Sequence, residues 1–345
     1  MFETIAIAQQ IIEERFTAQD VDLLMNALVP SVRFRVDADG DGRVGGTRMG
    51  GTPDMPAIRA WPARPAPENA REIAERGGPD GLEDRLRHLE ADMPYAFIAQ
   101  IDLEEADALG IAGDLLPKEG RLLFFYDLVT GPYDTDWQSG QVIWDSAPRD
   151  LLVTQEIPAE LRDAEQAYRA ALAVEMAAYP DLLEETLSGG SPYGGPRRAM
   201  ELTANYALPA AYTVAFSLNA ELKTRYEAEP ELFAQPYDDL FYAYWNGGPG
   251  LRNQLLGVPV PEQDDPRFDA ARADLDSRQA REEGLSEEAL TEQIETRAGE
   301  WRLLLQVDLS DFMQVPQDGT IYFLINENDL GMRDFDNVIA VYQQT

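Results

Sequence analysis

The chain has 345 residues, with 63 acidic against 28 basic side chains and a net charge of −35 at pH 7. There is no cysteine and a single histidine, His88. This excludes disulfides, thiolate metal sites, cysteine nucleophiles and any site needing two histidines of one chain, and it sets the surface against phosphate backbones, so no nucleic-acid partner is expected.

The length suits one large domain or two ordinary ones, with a core that needs no covalent staples. The opening MFETIAIAQQIIEERF has an early Glu3 and no basic stretch, so it does not read as a secretory signal. No apolar run is long enough for a transmembrane helix. A cytoplasmic protein with no membrane partner is therefore expected. Phe2, Ile5, Ile12 and Phe16 predict an amphipathic helix, so residues 1–29 read as an N-terminal helical segment.

Residues 30–150 read as a first β-rich half. SVRFRV at 31–36 alternates as a strand does. It runs into DADGDGRVGGTRMGGTPDMP at 37–56. Asp37, Asp39 and Asp41 occupy the first, third and fifth places of a calcium loop, but Arg48 stands where the bidentate glutamate belongs. No cofactor is expected beyond weak calcium binding there. Gly40, Gly42 and Gly45 spell a dinucleotide fingerprint, yet Pro53 and Pro56 follow where the phosphate-binding helix should start. The nucleotide reading fails, and a structural glycine-rich connection between strands is preferred. His88, in LEDRLRHLEAD, reads as a polar-face residue of a short helix.

Residues 151–250 read as a helical and loop linker. Leu161, Ala164, Tyr168, Leu172 and Met176 recur at helical spacing over 158–187, with a break at Pro180. SGGSPYGGP at 188–196 is a loop, 206–209 is extended, and 217–227 and 231–245 are helical. Residues 251–345 read as a second β-rich half, opening with charged helices over 267–283 and 286–299, the latter N-capped by Ser286.

The two halves share a pattern. FIAQIDL at 97–103 and LLLQVDL at 303–309 carry Gln100 and Asp102, and Gln306 and Asp308, at a 206-residue offset. Gly51 and Gly257, each two residues before a proline, keep the same offset, and turns ending in Gly120 and Gly319 follow. Apolar runs at 141–144 and 338–342 then close each unit. The expected fold is α+β, two similar β-rich halves from an internal duplication with helical insertions. The second Gly-x-Pro loop lacks the aspartate triplet, so the shared function of this loop is structural.

RMGGTPDMP at 48–56, WP at 61–62, FIAQID at 97–102 and GRLLFF at 120–125 resemble the opening of the YwqG-like family. QLLGVP at 254–259, Asp265-Pro266, LLLQVD at 303–308, GTIYF at 319–323, and Asp329-Leu330 with Asp334-Phe335 continue the resemblance in order. It covers roughly residues 45–345 and departs at VPQDG, 315–319, where the family often has an aromatic acidic turn. It implies one compact bacterial unit of complex α+β fold. It supplies no catalytic residues.

Residues two apart on a strand share a face, so each Gln-x-Asp projects an amide and a carboxylate together. If the halves pack as a pseudo-dimer, Gln100, Asp102, Gln306 and Asp308 converge as a site for a cationic ligand or an oxygen-ligated metal. The preferred reading is structural: each Asp caps the following turn and each Gln satisfies strand-end backbone groups. Trp137, Trp144, Trp245 and Trp301 read as core before they read as a ligand cleft. Nucleophile-elbow, phosphate-loop and HExxH motifs are missing from the sequence. The acidity reads first as a solvated surface; as a binding feature it attracts a basic protein. The function expected is a non-catalytic binding or regulatory protein, immunity-like, with a basic protein partner. The alternative is a carboxylate- or metal-dependent hydrolase.

Overall fold

A computed structural model describes residues 2–38, 40, 42–136, 138–245, 252–277 and 286–345. Aromatic and branched residues between glycine and proline turns give the strands. They are β1 (Val29–Val36), β2 (Arg48–Met49), β3 (Asp54–Pro56), β4 (Ala96–Asp102), β5 (Arg121–Tyr126), β6 (Gly140–Asp145), β7 (Leu152–Thr154), β8 (Arg198–Ala207), β9 (Gln254–Leu255), β10 (Trp301–Asp308), β11 (Thr320–Asn326) and β12 (Ile339–Gln343). Ten of them form one sheet in the order β12-β11-β10-β9-β1-β8-β2-β4-β5-β6, while β3 pairs with β7. All pairings are antiparallel. The two sheet ends nearly meet. Ser139 Oγ donates to the Ala340 carbonyl at 3.4 Å, and a side chain at Gly140 would touch Ala340. Helices accompany this nearly closed antiparallel sheet, which is an α+β architecture.

The sheet order is symmetric about its central pair, β1 and β8. Outward lie β9 and β2, then β10 and β4, β11 and β5, and β12 and β6. β4 slips register between Phe97 and Ala99, and β10 does so between Leu303 and Leu305. Gly50 N donates to Ile98 O, and Leu256 N to Leu304 O. Gly51 and Gly257 both have positive φ, and a Cβ at either would lie within 2.7 Å of a side-chain atom. These backbone details recur at the 206-residue offset.

A single core cluster draws on both halves. Ile98, Ile101, Phe124 and Tyr126 pack with Leu305, Val307, Phe323 and Ile325, and the Phe124 and Phe323 rings meet edge to face at 5.2 Å. Each fully buried aromatic or aliphatic side chain here contributes about 1.5–3 kcal/mol.

Two readings need correction. β8 lies inside the supposed linker, yet it pairs with all eight residues of β1. RAMELTANYA carries few branched or aromatic residues, so propensity hides a strand that its neighbours stabilise. At the N-terminus, Phe2 bridges to Tyr206 and two helices follow, Ile5–Glu13 and Ala18–Asn26. Phe2, Ile12 and Phe16 are buried against helices of 214–240, but Ile5 faces solvent. Pro180 opens a second helix, Pro180–Ser188, after Ala159–Glu175, as a proline at the first helical position can. Ser286 accepts from Ala289 N and caps Glu287–Ala298. No helix among the described residues is long and apolar enough to cross a membrane.

Candidate functional site

Gln100 sits between Ala99 and Ile101, both in the shared core, so alternation turns its side chain to the opposite face. There its Oε1 accepts from Asp54 N at 2.8 Å and its Nε2 donates to Gly46 O at 2.8 Å. Gln306, between Leu305 and Val307, accepts from Val260 N at 2.9 Å and donates to Val260 O at 3.3 Å. Each buried glutamine thus ties down the glycine-proline loop of its own half. Asp102 accepts from Glu104 N at 3.2 Å and caps the helix Leu103–Ala108. Asp308 accepts from Asp311 N at 3.0 Å and caps Leu309–Met313. The backbone N–H groups of Asp102 and Asp308 donate to Thr47 Oγ1 and Asn253 Oδ1, again 206 residues apart. The two pairs face their own loops, away from the core between the halves, and do not form one four-residue site.

The halves differ in what fills the seam. Arg48 takes the place of Gln254, and Asp54 the place of Val260. Arg48 Nη2 meets Asp54 Oδ1 at 2.6 Å with the two side chains 2% and 0% exposed. Asp54 also accepts from Gly45 N and from Thr154 Oγ1, each at 2.6 Å. Burial raises the Asp54 carboxyl, but the bonds from Arg48, Thr154 and Gly45 outweigh it and leave it below its ordinary value. Arg48 Nε and Nη1 have no hydrogen-bond partner among the described residues. Above this pair lies a cleft of about 380 Å³ whose lining includes Asp37, Arg43, Thr47, Arg48, Glu105 and Arg197. Arg43 bridges Asp102 and Glu105, and Arg149 also pairs with Asp102. Asp308 has a different setting: burial dominates and raises its carboxyl above the ordinary value.

Residues 47–343 match the family described as Domain of unknown function (DUF1963). The chain belongs to this family. No curated protein matches it. The DUF1963 match opens at Thr47 and closes at Gln343, so it spans both seams and leaves out the aspartate loop.

In this DUF1963 chain the aspartate loop is only partly placed. Asp37 lines the cleft, while Asp39 and Asp41 lie outside the described residues. Among the described residues no group of three His, Asp or Glu could hold a metal ion. Trp301 is buried in a helix-packed core and Trp144 packs at the edge of the shared one. Trp137 and the side chain of Trp245 lie outside the described residues.

One buried network escaped the sequence. His88, on Leu82–Leu89, places Nε2 at 3.0 Å from Asp127 Oδ1. Arg64 donates to Asp127 at 2.8 Å and to Thr130 Oγ1 at 2.9 Å, and it also pairs with Asp134. Burial raises the Asp127 carboxyl, yet His88, Arg64 and Thr130 together hold it well below its usual range. At Asp134 burial prevails and the carboxyl is raised. Only the turn at Asp127, which accepts from Val129 N and Thr130 N, had a local signal. Residues 64, 88 and 127 come from separate segments that spacing does not link.

Proposed function

We propose that the protein is a non-catalytic binding or regulatory protein, immunity-like, that acts in the cytoplasm on a basic protein partner. The observation that carries this reading is where the charge lies. Among the described residues nine aspartates and six arginines are buried, a net of 6 − 9 = −3, whereas the chain as a whole carries −35. Little of the acidic excess therefore lies inside the core, and charge outside it steers a cationic partner. The chemistry-bearing groups singled out by sequence are instead tied to the chain itself: Gln100 and Gln306 to loops, Asp102 and Asp308 to helix starts, His88 to Asp127. The repeated hydrogen bonds at a 206-residue offset support an internal duplication of a YwqG-like half.

The test is association kinetics of a basic partner obtained by affinity capture. On-rates should fall by roughly 10 to 10³-fold from low to high salt, over which the screening length shrinks from about 30 Å to about 3 Å. Salt-independent on-rates sink the reading. A carboxylate- or metal-dependent hydrolase is the second reading, with Asp308, a half-buried carboxyl that burial raises above its ordinary value, as its candidate acid; hydrolytic activity that persists in Asp308→Asn removes Asp308 from that role. Calcium binding at Asp37, Asp39 and Asp41 belongs to the proposal as a weak site, roughly 10⁻⁴ to 10⁻³ M. Micromolar affinity in calorimetry, lost in Asp39→Ala, contradicts it.

A further inference from the structure

Residues 159–188 form two successive helices, Ala159–Glu175 and Pro180–Ser188. Helices of such length are marginal in water and are normally held by burying an apolar face. Here Leu161 is the one fully buried residue of the pair. Ala164, Leu172, Met176 and Leu183 make a half-buried inner face. The outer face is not uniformly polar. Val174 is 80% exposed, Tyr179 65% and Leu182 51%. Ala167 and Ala171 are also exposed and continue the row from Val174 at helical spacing. A single exposed apolar residue needs no explanation, but three large ones within nine consecutive residues, on helices that also carry exposed acids, single this segment out as an interaction surface.

The rim selects the occupant. Glu160, Asp163, Glu175, Asp181, Glu184 and Glu185 are exposed, and Arg162 is the one exposed basic residue of these two helices. Arg169 turns inward, donating to Glu165 and to the carbonyls of Leu187 and Gly189. A second copy of this chain would bring −35 against −35, and the six acids against themselves. The complementary surface combines apolar side chains with positive charge, as an amphipathic cationic helix does.

We infer that the outer face of residues 159–188 is the docking surface, and that it receives a cationic amphipathic helix of the protein partner. This rests on the binding reading proposed above and adds the place and the chemistry of the contact. Val174, Tyr179 and Leu182 supply the apolar anchors. The acidic rim supplies register and approach, with little net affinity from any one exposed pair.

The test uses the full chain and two labelled synthetic peptides of equal length and charge, a helical lysine–leucine peptide and a lysine–serine counterpart. Binding is followed by fluorescence anisotropy at low salt. Val174→Ser with Leu182→Ser removes two exposed anchors without touching the core. The lysine–leucine peptide should lose at least about tenfold in affinity on the double variant, from the apolar area no longer buried. The lysine–serine peptide should bind weakly and equally to both proteins. An unchanged lysine–leucine affinity in the double variant overturns this surface while leaving the basic-partner reading intact. If neither peptide binds the unaltered protein at low salt, the basic-partner reading itself fails.

Discussion

The Arg48–Asp54 pair can be exchanged for what the other half uses. Gln254 and Val260 stand at the equivalent places, and Gln254 Nε2 donates to Val258 O at 2.6 Å. Asp54→Val alone leaves the Arg48 guanidinium buried with no counter-charge, and Arg48→Gln alone leaves the carboxylate so. Removing one partner of a buried pair costs about 3–5 kcal/mol, while replacing both by well-packed neutral groups is often far milder. The double variant Arg48→Gln with Asp54→Val still strands the Gly45 N–H and the Thr154 hydroxyl, which donate to Asp54 at 2.6 Å, a loss of about 1–3 kcal/mol. It no longer holds a lone charge, and the unpartnered Arg48 Nε and Nη1 are gone. The double variant should therefore be more stable than either single one, with a coupling of at least about 3 kcal/mol, since two losses of about 3–5 kcal/mol are replaced by one of about 1–3 kcal/mol. Urea unfolding of the four proteins, comparing midpoints at constant slope, measures this. Single effects that add within about 0.5 kcal/mol would refute the reasoning, because independent sites behave that way.

Acid should unfold the protein partly through Asp54 and Asp127. Both carboxyls lie below their ordinary value when folded, so the unfolded chain binds more protons, and their contribution is present above about pH 4 and lost as pH falls toward the folded values. Stability should drop across that range, and Asp127→Asn should flatten the drop; an identical pH slope in the variant contradicts the assignment. Backbone strain gives a paired prediction. Gly120 has φ +84° and a Cβ there would sit 2.5 Å from Asp145 O, whereas Gly110 at φ +70° has open space around it. Gly120→Ala should cost about 2–4 kcal/mol and Gly110→Ala about 1–2 kcal/mol, from left-handed strain alone; equal losses in thermal unfolding would show that the close approach is not limiting.

Local pattern carried the strands that open each unit. The runs at 97–102 and 303–308, the turns ending in Gly120 and Gly319, and the closing strands are apolar and bounded by turn residues, so their identity is written in contiguous residues. The capping parts of Asp102, Asp308 and Ser286 were legible for the same reason, since a cap acts within three residues of itself. β8 was not legible, because Arg198–Ala207 becomes a strand through β1 and β2 and not through its own propensity. The sequence by itself determined the acidic surface, the lack of thiol chemistry and the repeated spacing of Gln100 and Gln306. Only the tertiary structure decided which way those side chains point. A register slip in each strand and a core shared by both halves turn them outward onto separate loops, and Arg64, His88 and Asp127 come together only when three separate segments pack against one another. Local preference acts over a few residues, whereas convergence of a site depends on which faces are buried.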